Sequence, residues 1–179
     1  MSAAALVPLA GISVAGASVS AKPQAISSAK YTKVLCASYN QLLSDLKGFN
    51  AAVGATPSDS AATFQTGVVT ETTAFLDKVA ALKTKLAKVY PDVGGGKRIA
   101  KIMATDLVST GTKVSDGLVK FRAADANGVA FQAEITQFEV VLRLLGVDTT
   151  DLSKVTDQDV IGAVGHERTC KKIFPVTGG

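Results

Sequence analysis

His166 is the only histidine in the chain, and Cys36 and Cys170 are its only cysteines. That scarcity bounds the chemistry these residues can do. One imidazole cannot build the paired Glu-x-x-His ligand sets of a di-iron bundle, nor a multi-histidine zinc site. His166 and Glu167 would make an acid/base pair, but no matching nucleophile is identifiable beside them. Asp45, Glu71, Asp106 and Glu134 fall on or near helical segments. Two of them facing across a core would do metal or acid/base work. The simpler reading puts each on a solvated flank, where carboxylates usually lie. The expectation is a protein that is not an enzyme and has no cofactor or metal.

Gly94-Gly95-Gly96 runs straight into Lys97-Arg98. Free amides at a helix start beside two cations suit an anion. The loop is not a Walker A motif: Pro91 replaces its first glycine, Arg98 follows the lysine, and no strand is expected before it. An even pair of cysteines in an exported chain points to one disulfide, Cys36–Cys170, closing a span of 134 positions.

Residues 1–21 carry no charged side chain and end in Val19-Ser20-Ala21, a small-residue cleavage pattern. They read as a signal peptide, without the usual basic start. Residues 22–179 then form one domain, secreted or in the cell envelope. No apolar run reaches the roughly 18 residues a membrane-spanning helix needs. Net charge is +4 and 47% of residues are hydrophobic, which suits a globular domain and falls short of a dedicated nucleic-acid binder.

The elements that position these residues are helices. The stretch 123–146 is central: Phe131, Ile135, Phe138, Leu142 and Leu145 recur at helical steps on one stripe. Its second half is apolar nearly all round, so something must cover it. A first helix should run from near Pro23–Ser28 to Val53, stopped by a left-handed Gly54. A second should open with Thr56 as cap and Pro57 in its first turn, with Thr72 filling a gap in its apolar stripe, and stop at Pro91. A third follows the glycines, with a kink near Gly111, and Asp125 should cap the fourth. Thr156-Asp157-Gln158-Asp159 is a capping sequence, and Val160, Ile161 and Val164 behind it make a short fifth helix that would cross the end of the fourth. No strand is required. The fold class is all-α: an antiparallel up-down four-helix bundle with a short C-terminal helix, stapled by the disulfide.

In that topology Phe49, Phe64, Phe121 and Phe131 share one end, as a core plug or as an apolar pocket for a lipid-like ligand. The opposite end collects 14 cations against 6 acids, a balance of +8, and the rest of the chain carries −4. Lys88, Lys97, Arg98, Lys101, Lys171 and Lys172 are the candidate anion contacts. The leading expectation is a basic end that binds an acidic envelope polymer, lipid headgroups or another protein. The alternative is a carrier of a small apolar ligand in the bundle core, with a helical channel or an enzyme behind it. No specific nucleic acid is expected, and the oligomeric state is not specified.

Overall fold

The computed structural model describes residues 22–144 and 157–170, except the side chains of 106–110 and 141–144. The expected leader, residues 1–21, lies outside the described residues. The chain is mostly helical, in the order β1 (Gln24–Ile26), α1 (Ser28–Gly54), α2 (Ala61–Leu86), β2 (Val89–Pro91), α3 (Gly96–Ala123), α4 (Phe131–Leu144) and α5 (Gln158–His166). Among the described residues, no helix is long and apolar enough to cross a membrane.

α1 follows its apolar stripe, burying Tyr31, Leu35, Tyr39 and Phe49. Gly54 does not end it in a left-handed turn. The Ala55 amide still bonds to Ala51 and Ala52, so the backbone stays right-handed to the last residue. Nor does Thr56 cap α2. Its hydroxyl donates to the Ala52 carbonyl (3.2 Å) and so belongs to the end of α1. Ser60 caps α2 instead, accepting from the Thr63 amide at 3.1 Å. Thr72 does fill the gap in the α2 stripe: it is fully buried and donates to the Val68 carbonyl at 2.7 Å.

The all-α expectation is corrected by a two-stranded parallel sheet, in which Gln24, Ala25 and Ile26 pair with Val89, Tyr90 and Pro91. α2 stops at Leu86, before Pro91 is reached. A proline biases the residue before it toward extended backbone, and Val and Tyr suit a strand. The Gln24 amide donates to Lys88 (2.9 Å) and the Asp92 amide to Ile26 (2.7 Å), so Pro91, which has no N–H, faces away from the ladder. Each strand leads into a long helix, β1 into α1 and β2 into α3. The Tyr39 hydroxyl, on α1, donates to the Met103 carbonyl of α3 at 3.3 Å.

The β2–α3 junction needs two glycines. Gly95 has φ 80°, the only positive φ among the described residues. Gly96 is buried, and a Cβ there would collide with the Pro91 carbonyl. Gly96→Ala should therefore destabilise the fold by about 1–3 kcal/mol in urea unfolding, the usual cost of overpacking. An unchanged midpoint would contradict this packing.

α1 packs on α2, α2 on α3, and α3 on α4. Asp45 meets Lys78 (3.3 Å) and Phe49 stacks on Phe75. The Gln65 side-chain amide donates to the carbonyls of Phe121 and Ala124, 2.8 Å each, and so ties the start of α2 to the end of α3. α3 is continuous through Gly111. Asp125 does not cap α4. Its carboxylate accepts from Asn127 (3.0 Å) inside the preceding turn, and α4 starts only at Phe131.

α5 is capped by Asp157, which accepts from the Val160 amide. Its described packing is against α1: Val160 and Val164 join Tyr31, Leu35, Leu86, Ile99 and Met103 in one core cluster. The end of α4 that α5 was expected to cross lies outside the described side chains. The sulfurs of Cys36 and Cys170 sit at disulfide-bonding distance, with a Cα separation of 5.1 Å.

Thr32, on α1, is fully buried, and its hydroxyl has no hydrogen-bond partner among the described residues. A buried hydroxyl left unpaired costs stability. Thr32→Val keeps the shape and removes that cost, and should raise the unfolding free energy by about 1 kcal/mol. A loss of stability in the same urea measurement would mean that the hydroxyl is satisfied.

Candidate functional site

The strand pairing gathers cations from distant parts of the chain. Lys22 precedes β1 and Lys88 precedes β2, so the parallel register sets them at the same end of the sheet. Lys83 and Lys85 lie in the last turn of α2, where they also offset the negative pole of the helix. The strands then lead into α1, with Lys30 and Lys33, and into α3, with Lys97, Arg98 and Lys101. Arg168 is held near α1 through Cys170 and through the Asn40 side chain, which donates to the Thr169 carbonyl at 2.8 Å.

These ten cations are exposed, and among the described residues none has a carboxylate within ion-pair distance. The described acids nearest them in the chain include two engaged locally. Asp157 caps α5. Glu167 accepts from the Thr169 hydroxyl (2.9 Å) and amide (3.3 Å), and those bonds, with a smaller pull from the Lys33 charge, hold its carboxyl below the usual range. Asp92 and Asp159 are exposed. The charges of these ten side chains are therefore open to solvent and would be screened by salt over about 10 Å at 0.1 M. Lys171 and Lys172, and the expected contributions of Arg143 and Lys154, lie outside the described residues or side chains.

The glycine-rich loop does not present a row of free amides. The Gly96 amide donates to Val93 (3.0 Å) and the Arg98 amide to Gly95 (2.8 Å). Lys97 leans the other way, its ammonium 5.5 Å from the centre of the Tyr90 ring. That contact had no periodic signal in the sequence. It arises because β2 sets Tyr90 beside the start of α3.

Three of the four expected phenylalanines come together and Phe49 falls in a second cluster. Phe121 stacks on Phe131 (5.6 Å) and Phe138 (5.1 Å), with Phe64 packed against the same cluster. Phe49 belongs with Phe75 and Val79 instead. The structure does not bring the other candidate residues together among the described side chains. His166 is exposed at the end of α5, and the Glu167 carboxylate turns to Thr169. Asp45 is engaged by Lys78 and Gln41. Glu71 is half-buried on α2, and the Asp106 side chain lies outside those described. Glu134 lines a groove of about 310 Å³ between α3 and α4, beside Lys113, Asp116, Lys120 and Phe138. Burial pushes the Tyr31 phenol well above its ordinary pKa, so it stays protonated. No cluster of three or more metal-ligating side chains occurs among the described residues. Comparison with protein-family models, curated proteins and solved structures gives no match.

Proposed function

We propose that this is an exported, non-enzymatic helical protein of the cell envelope or extracellular space, which binds an anionic partner or surface through its basic end. The observation that carries this reading is the set of ten exposed cations that have no ion-pair partner among the described residues. Such a surface raises the local concentration of anions and orients the molecule toward them. We read the four long helices as an antiparallel up-down bundle. The contacts support this: from Asp45 to Phe49 along α1 the α2 partner steps back from Lys78 to Phe75, and Gln65 at the start of α2 meets Phe121 at the end of α3. Export is supported by the apolar leader and by the cysteine pair.

The test is co-sedimentation with phosphatidylglycerol vesicles and retention on an acidic polymer, each across a salt series. Binding should be present at low salt and fall steeply as salt rises. Reversing Lys97, Arg98 and Lys101 to Glu should weaken it by about a hundredfold or more, at about 1 kcal/mol per basic residue near an anionic surface. Absence of binding to both at low salt, or binding indifferent to salt, would remove the reading.

A further inference from the structure

A bilayer and a soluble polyanion make different demands on a protein surface. Stable membrane contact combines electrostatic attraction with apolar side chains sunk below the headgroups. Among the described residues the exposed large apolar side chains are Leu43, Val119, Val129, Val140 and Ile161. The first four lie mid-α1, late in α3, in the α3–α4 turn and in α4. Leu43 and Val119 share α1 and α3 with the cations but lie well past their basic starts, which leaves Ile161, on α5, as the exposed one nearest the basic end. Val89 and Val93, which flank the lysines there, pack against the core. Tyr90, the aromatic placed to anchor at headgroup depth, is half-buried beneath Lys97. Among the described residues, then, the basic end carries many charges and, beyond Ile161, no exposed large apolar side chain.

The kind of charge matters as well. Eight of the ten cations are lysines, compact point charges on flexible stems, which fix no planar geometry as an arginine fork does. The two engaged amides in the first turn of α3 add no cradle for one phosphate. Many adaptable cations over several elements, with no shaped pocket, fit a ligand that is itself flexible and repeats its charge.

We infer that the basic end binds an extended polyanion, a phosphate- or carboxylate-bearing chain lying across the starts of α1 and α3 and the end of α2. This rests on the reading that the basic end is functional. It is tested with the full chain by fluorescence anisotropy against labelled inorganic polyphosphate and polyglutamate. Competitors are orthophosphate and vesicles of phosphatidylglycerol and phosphatidylcholine in equal parts. Both polymers should bind, more tightly as they lengthen, with log affinity falling linearly against log salt as condensed counterions are released. Orthophosphate should not compete, and vesicles should compete at least about tenfold more weakly per anionic group. The variant K97E/R98E/K101E should lose polymer binding, and Lys47→Glu, far along α1, should keep it. Vesicles competing as well as polymer, or orthophosphate competing at all, would overturn the inference and leave the basic end functional. No binding of polymer or vesicles at low salt would overturn the underlying reading too.

Discussion

Removing the link between Cys36 and Cys170 is expected to lower stability by about 4–5 kcal/mol, as chain-entropy models give for so long a loop. The two residues lie 134 positions apart, and both are fully buried. The link ties the third turn of α1 to the segment just after α5. α5 has nine residues, too few to be helical by itself in water. Without the link it is held by Val160, Val164 and the Asn40–Thr169 hydrogen bond. The melting temperature should fall by about 10–15 °C, given how midpoint scales with free energy in a chain of this size. Thermal melts with and without reductant, set beside a C36S/C170S variant, check this. The variant should match the reduced protein and ignore reductant. A midpoint shared by all three would show that the segment after α5 docks without help. Burial of both sulfurs also makes reduction wait on local opening, so it should be slow under native conditions.

Phe121→Ala is expected to cost about 3–5 kcal/mol, the range for deleting a buried aromatic ring. Phe121 is 1% exposed and is stacked by Phe131 on one contact and Phe138 on another. Both partners belong to α4, and the principal described contact of α4 is with α3. The ring is thus the joint between these helices, and its loss empties the space that two other rings lean on. Phe121→Leu refills part of that space and should cost about 1–2 kcal/mol. Urea unfolding gives both values, and hydrogen exchange should show the α4 amides opening first. A cost below about 1 kcal/mol for the alanine variant would mean that the site collapses around the gap.

The long helices were legible because their apolar residues recur at steps of three and four. α5 was legible because Asp157 stands just before Val160 and Val164. The sheet was not. Three residues carry no alternation to read, and Gln24 meets Val89 only through the fold. Helix starts slipped for a different reason. Thr56 reads as the α2 cap, but its hydroxyl bonds back to the Ala52 carbonyl of α1, and Ser60 holds the Thr63 amide instead. Asp125 was lost as a cap in the same way, to a turn of its own. The phenylalanines were grouped by nearness to turns, which says nothing of which neighbour a ring faces, so Phe49 went to Phe75. The cations gathered by the strand pairing could be read directly as residues, though not as neighbours. What could not be read was that Asp157 and Glu167 would be held by nearby backbone and hydroxyl groups.

With only two thiols in the chain, scrambled isomers within one molecule cannot arise. Cys36 is synthesised 134 residues ahead of its mate and meets no rival in between. The disulfide error that joins protein to protein is therefore capture of a second copy. Slow docking of α5 would register as a crosslinked dimer on a non-reducing gel.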